Sequence, residues 1–219
     1  TLGFYADSFQ LGIQNGHIPT FVQSWLGTFS FTLQIYFDFS GYTDMAIGLG
    51  LMIGIILPYN FKSPLKSGNI IEFWDRWHIT LTSIIREFIY YPITVLITKK
   101  IKSRNFFMES IFLIIVPIMI TFFIIGFWHG GTLNYIMFGV YNGILVCITY
   151  IFKNYINKNN VKIHDLLKSK YFNILILNLF VNFGFVIFRT PNIKDSFLIL
   201  KGMFGMNGFG VPFSVYEKY

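Results

Sequence analysis

Long apolar runs alternate with short polar ones along this chain, and the spacing predicts helices. Residues 1–17 pattern as a short amphipathic lead-in. Residues 18–37 are mostly apolar, interrupted by Gln23, Ser24, Thr28 and Gln34 among others. That suits a membrane helix with one polar stripe, since crossing a bilayer takes roughly 20 residues. The polar run Asp38-Phe39-Ser40-Gly41-Tyr42-Thr43-Asp44 follows. Residues 46–57 then resume as a second apolar helix, whose glycines allow close helix approach. Pro58 ends it, and residues 58–69 read as a polar loop.

Asn69 is a candidate N-cap with Glu72 three residues on, the pattern of a capping box. Glu72 and Arg76 form an i,i+4 pair in the favourable order. They open an amphipathic helix that runs through Trp74, Trp77, His78, Thr82 and Arg86 towards Tyr90 and Tyr91. Its charges make it too polar to span lipid alone. It is expected in the interface or along a wet cavity, with its Trp and Tyr at headgroup depth. Residues 106–126 and 132–152 are two apolar segments of spanning length joined by Phe127-Trp128-His129-Gly130-Gly131, and 172–188 is one more. The expected fold is all-α, a multi-pass transmembrane protein forming one domain over 1–219. The chain starts at Thr1 and stops after a Gly-rich stretch, so it reads as a fragment lacking N- and C-terminal helices.

Composition strengthens the membrane reading. Hydrophobic residues make up 54% of the 219 and charged residues 12%, against about 25% charged in soluble domains. A net charge of +7 would suit nucleic acid, but the basic residues are not patterned for it. Nine of the 17 Lys and Arg lie in 99–104 and 153–170, between apolar segments. Those stretches read as cytoplasmic loops under the positive-inside rule. The hairpin between them then goes out and back, with its apex at His129 on the far side. The single cysteine, Cys147, sits in an apolar run and reads as a small buried hydrophobe.

Of the four histidines, His17 and His164 fall in polar surroundings. His78 and His129 each lie among Trp and apolar neighbours. An ionisable group in a membrane segment is costly and points to function, and an imidazole titrating near neutrality suits general-base work. Gly130 and Gly131 leave room beside His129 for a ligand. No Asp, Glu or Cys at ligand spacing accompanies the two histidines, so no metal site is expected. Asp38 and Asp44 read as polar groups at helix ends, or alternatively as part of a proton or ion pathway.

Three motifs carry a resemblance. They are Asp38-Phe39-Ser40-Gly41-Tyr42-Thr43-Asp44-Met45-Ala46-Ile47-Gly48, Glu72-Phe73-Trp74-Asp75-Arg76-Trp77-His78-Ile79-Thr80-Leu81, and Gly126-Phe127-Trp128-His129-Gly130. In that order they resemble signatures of the membrane-bound O-acyltransferase (MBOAT) family. The likeness is to the alginate O-acetyltransferase (AlgI) type and, more distantly, to the DltB type that transfers D-alanine to teichoic acid. The resemblance implies that His129 and His78 match the family's two histidines and face a central tunnel where acyl donor meets acceptor. Asn142 stands where many members of the family have a further histidine.

The mechanism expected from this likeness is direct transfer of an acyl group, acetyl, from a thioester donor (acetyl-CoA or an acyl carrier) to a hydroxyl. His129 would act as base. His78 would orient the donor or stabilise developing negative charge. Trp74, Arg76, Trp77, Arg86, Trp128 and Asn134 are the candidate substrate-binding residues, with Trp128 and Asn134 as donors near the reacting carbonyl. No bound cofactor is expected. The setting implied is the bacterial cytoplasmic (inner) membrane, in contact with lipid. A polysaccharide acceptor and an extracytoplasmic acyltransferase partner are implied as well, with no nucleic acid. Two other classes remain open at this point: a transporter or channel built on Asp38 and Asp44, and a structural membrane scaffold.

Overall fold

A computed structural model describes residues 2–100, 106–159 and 169–210. Among these the chain is helical, and the one β-type contact is an isolated antiparallel bridge between Phe61 and Trp77. The lead-in is helix α1 (Leu2–Gln14). Helix α2 (Phe21–Met52) is a single helix of 32 residues, where two helices separated by the Asp38–Asp44 run were expected. Nothing in that run removes a backbone donor or clashes with the preceding turn, as proline would. The Thr43 hydroxyl returns its hydrogen bond to the Ser40 carbonyl at 2.8 Å.

α2 also stops short of Pro58. The Ile55 N–H donates to the Gly50 carbonyl at 2.8 Å, and the Gly54 N–H donates to Leu51 at 3.1 Å. Gly54 sits at φ 80°. This double closure about a left-handed glycine ends a helix from within, without proline.

The amphipathic helix expected from Asn69 to Tyr91 is broken in two. Its start is as expected: the Asn69 side chain accepts the Glu72 N–H at 3.1 Å. Helix α3 (Ile70–Trp74) is only five residues long. The chain turns over 75–78, and α4 (Ile79–Ile85) starts afresh, passing through a π turn (Arg86–Tyr90) into α5 (Tyr91–Lys100). The break leaves Glu72, Asp75 and Arg76 behind. The continuous helix Ile79–Lys100 is then long and apolar enough to cross a membrane, with mean hydropathy 1.2. The segment too polar to span as one piece therefore qualifies once divided.

Three more stretches reach that length: Phe112–His129 in α6 (Phe106–His129), Leu133–Ile156 in α7 (Leu133–Asn159), and α8 (Lys170–Arg189). α2 is not among the four, because its stripe of Gln, Ser and Thr dilutes its apolar residues. A further helix, α9 (Ile193–Met203), was not foreseen; Asn192 caps it by accepting the Asp195 N–H at 3.0 Å. The centres of the two basic stretches, 101–105 and 160–168 with His164, lie outside the described residues.

The chain forms two compact units. One comprises residues 1–39, 132–134 and 181–219. Its core is Ile13, Val186, Ile199 and Met203, with Phe9, Trp25 and Phe183 against it. Polar contacts tie the helices together there. Thr32 donates to Asn182 at 2.8 Å, and the Trp25 indole donates to the Met203 carbonyl at 3.1 Å. Arg189 pairs with Asp7 and lies 4.7 Å over the Phe31 ring.

The other unit comprises 40–131 and 135–180. Its α6–α7 hairpin is closed by glycine. A Cβ on Gly126 would collide with the Tyr135 carbonyl, and one on Gly139 with the Phe122 carbonyl. Gly139 and Gly143 are four apart, the small-xxx-small spacing that lets membrane helices touch backbone to backbone.

Candidate functional site

The second unit gathers the residues with chemistry. His129 is the last residue of α6, where the helix gives way to Gly130 and Gly131. Gly130 is needed there, because a Cβ would stand 2.8 Å from the Tyr135 ring. The His129 ring lies 4.8 Å from Trp128, 6.1 Å from Tyr135 and 6.2 Å from Phe138, centroid to centroid. Trp128 in turn meets His78 edge to face at 6.5 Å. The two histidines, 51 positions apart in sequence, thus flank one indole. The segments that bring them there are the α6 terminus and the turn between α3 and α4.

That turn is unusual. His78 occupies the N-cap position of α4 in the left-handed region, at φ 47° and ψ 54°, and its own side chain caps nothing. A non-glycine residue held there costs roughly 1–3 kcal/mol unless its surroundings hold it. The hold comes from the loop before α3. The Lys62 N–H donates to the Arg76 carbonyl at 3.0 Å, and Phe61 bridges Trp77. The Ile79 N–H donates to the Asn60 carbonyl at 3.0 Å. The Asn60 side-chain oxygen accepts from the Thr80 N–H at 3.1 Å and the Thr80 hydroxyl at 2.6 Å. Asn60 therefore caps α4 from outside the helix, in place of the residue at its N-cap. The same oxygen lies 3.3 Å from His78 Nδ1. Burial holds the His78 imidazole below its ordinary value of 6.5, which keeps the ring neutral at pH 7.

The same unit holds a cleft of about 340 Å³, lined by Trp74, Asp75, Thr82, Arg86, Tyr90 and Tyr150 among others, with neither histidine on its wall. Two of the sequence-nominated residues, Trp74 and Arg86, are on its wall. Trp74 is 7% exposed and packs on Phe122 and Phe138, so it shares Phe138 with His129. Arg86 on the π turn pairs with Asp75 at 2.6 Å, across the break between α3 and α4.

The remaining nominees do other work. Trp77 is buried, stacked on Phe73 at 5.5 Å and edge-on to Phe61 at 5.1 Å. Trp74 and Trp77, expected to face an interface, are buried core residues instead, because the turn after α3 folds them inward. Arg76 is paired with Glu72 at 2.6 Å, whose other oxygen takes the Gly68 N–H at 2.7 Å. Asn134 belongs to the first unit. It is 3% exposed, and its Nδ2 has the carbonyls of Ile187 and Thr190 and the hydroxyls of Thr190 and Ser196 within 3.2 Å. Two N–H bonds among four acceptors leave nothing to offer a reacting carbonyl. Asn142 is likewise engaged, donating to Phe138 at 2.9 Å. Asp38 and Asp44 are exposed on α2.

Sequence reasoning missed Asn60, Asp75, Tyr135 and Phe138. Only Asp75 carried a signal, as an acid inside the Trp74–Trp77 run. Asn60 lies in the turn-like Pro58-Tyr59-Asn60, where asparagine is ordinary.

The sequence matches the MBOAT, membrane-bound O-acyltransferase family, over residues 15–189. It is 38% identical to the peptidoglycan O-acetyltransferase of Helicobacter pylori, over 86% of this chain and 33% of that protein. It is 36% identical to a probable alginate O-acetylase AlgI of Pseudomonas syringae, over 93% of this chain and 35% of that protein. It is 32% identical to the teichoic acid D-alanyltransferase of Bacillus subtilis, over 73% of this chain and 39% of that protein. The chain thus spans a little over a third, at most, of the length of these relatives.

Proposed function

This chain belongs to the membrane-bound O-acyltransferase family, and on that footing we propose that the whole protein moves an acyl group, acetyl, from a thioester donor to a hydroxyl of an extracytoplasmic envelope glycan. The observation that carries the reading is the pairing of His78 and His129 about Trp128, at 6.5 and 4.8 Å. Two imidazoles about one indole suit general acid–base chemistry, and the chain's one cysteine is buried. Direct transfer therefore needs no acyl-enzyme.

In this mechanism the hydroxyl oxygen bonds to the thioester carbonyl carbon as His129 takes its proton. The carbon–sulfur bond then breaks, and the imidazolium returns the proton to the departing thiolate. Trp128 donates its indole N–H to a reacting group in this reading, and His78 holds a substrate in line. The cleft along Trp74 and Arg86 is the proposed seat of the donor. The donor is acetyl-CoA or an acyl carrier from the cytoplasm, and the protein sits multi-pass in the bacterial inner membrane. An extracytoplasmic acyltransferase completes delivery to the polysaccharide.

The relatives' acceptors, as their names state them, are peptidoglycan, alginate and teichoic acid. The shared chemistry is a hydroxyl on an envelope polymer. The test is the O-acetyl content of envelope polysaccharide in cells carrying full-length His129→Ala or Asp38→Asn at matched expression. The expected outcome is loss of acetylation with His129→Ala, by about a hundredfold or more in transfer rate, and near wild-type levels with Asp38→Asn. The opposite order of severity would favour a transporter acting through Asp38 and Asp44.

A further inference from the structure

We propose that Asn60 is a positioning residue that fixes the tautomer of His78, so that His78 presents Nε2 as a hydrogen-bond acceptor to an acceptor-substrate hydroxyl beside the one that attacks. The inference rests on the acyltransfer reading for the identity of that hydroxyl, but its geometry stands independently.

The Thr80 backbone N–H can only donate. It lies 3.1 Å from the Asn60 side-chain oxygen. That contact settles the amide orientation: the oxygen, not the NH₂, faces the start of α4. The Thr80 hydroxyl donates to the same oxygen at 2.6 Å. His78 Nδ1 lies 3.3 Å from it. An amide oxygen accepts and cannot donate, so Nδ1 must carry the ring proton. In a neutral imidazole the other nitrogen then carries the lone pair. Burial favours the neutral ring.

This tautomer excludes one of the roles expected of His78, donation to developing negative charge. A ring whose Nε2 is an acceptor cannot donate to a developing oxyanion. It can hold a neighbouring hydroxyl of the acceptor by accepting its hydrogen bond, which leaves the proton of the attacking hydroxyl for His129. Asn60 thereby couples three tasks in one side chain: it caps α4, braces a left-handed residue and sets a proton on Nδ1. Among the described residues, the titratable group coupled electrostatically to His78 is His129, on which His78 acts. The nearest fixed charges in sequence, Asp75 and Arg76, are already paired with Arg86 and Glu72.

The experiment uses full-length protein in detergent, as wild type, Asn60→Asp and Asn60→Ala. Two readouts are followed from about pH 5 to about pH 9, spanning imidazole titration. One is carbethoxylation of His78 by diethyl pyrocarbonate, quantified on the His78 peptide by mass spectrometry, which reports the neutral ring without needing activity. The other is acetyl transfer from a thioester to a hydroxyl acceptor. Aspartate keeps the acceptor oxygen but adds a charge that favours imidazolium. The carbethoxylation midpoint and the acid limb of transfer should therefore both move up by about one pH unit or more.

Asn60→Ala should lower kcat by about a hundredfold with KM little changed, and Asn60→Asp should recover most of that rate above its shifted limb. An unshifted carbethoxylation midpoint in Asn60→Asp would overturn the proposal, as would wild-type kcat in Asn60→Ala. A wild-type protein that transfers no acyl group, but whose His78 midpoint still shifts in Asn60→Asp, would instead sink the acyltransfer reading alone.

Discussion

At the scale of single residues, the site depends on side chains that are occupied and side chains that are not. Asn134 shows the first kind. Beside the WHG motif it invites a role in catalysis, yet its amide is spent on the corner between α8 and α9. Asn134→Ala leaves buried carbonyls without their donor, a cost of about 1–3 kcal/mol. The expected outcome is a lower thermal unfolding midpoint with KM unchanged in the molecules that remain folded. A raised KM at unchanged stability would restore a substrate role. Trp128 shows the second kind: it is 59% exposed, and the two imidazoles are its closest described ring neighbours.

At the scale of elements, what could be read from the sequence was what length and apolar content determine. The spans in α6, α7 and α8 follow from unbroken apolar runs, and the N-cap at Asn69 follows from local chemistry. The break at 75–78 does not. Asp75-Arg76-Trp77-His78 contains no proline or glycine, and its turn exists because residues 60–62 arrive from elsewhere to bridge it. The role of Asn60 is illegible for the same reason, since its partners lie 18 and 20 positions away. The continuity of α2 was missed for the opposite reason: a polar, Gly-containing run looked like a boundary, though no residue in it forbids a helix. The α6–α7 hairpin tests how tightly these elements fit. Gly139→Val would push a branched side chain into the Phe122 carbonyl. The expected loss is about 1–3 kcal/mol, the usual cost of overpacking, together with reduced transfer, because α6 ends in His129. Unchanged thermal unfolding in detergent would show that the hairpin opens to accept the side chain.

At the scale of the whole molecule, the bilayer is the solvent to which the sequence answers. Large apolar side chains such as Met52 (82%) and Ile56 (86%) are exposed, which lipid tolerates and water does not. The four candidate spans leave the orientation of the His129 end to charge. The basic residues of 99–104 and 153–170 favour the cytoplasmic side, so the turn at Gly130-Gly131 is expected on the opposite face. Gly131 has open space around a Cβ, which makes Gly131→Cys a suitable probe in a background carrying Cys147→Ala. A membrane-impermeant maleimide should label it in intact spheroplasts. Labelling only after lysis would reverse the topology, and with it the route proposed for acyl delivery.

The left-handed backbone at His78 also sets limits on how this position can drift over evolutionary time. Residues branched at Cβ are effectively shut out there, and most others are strained. Asparagine, aspartate and glycine fit with least resistance. A mutational neighbourhood that narrow means the position changes through a few amides or acids, or through glycine with loss of the side chain altogether. Of these, asparagine alone combines a hydrogen-bond acceptor, no net charge and tolerance of the backbone. A lineage that lost this imidazole while retaining the fold would be expected to pass through asparagine first.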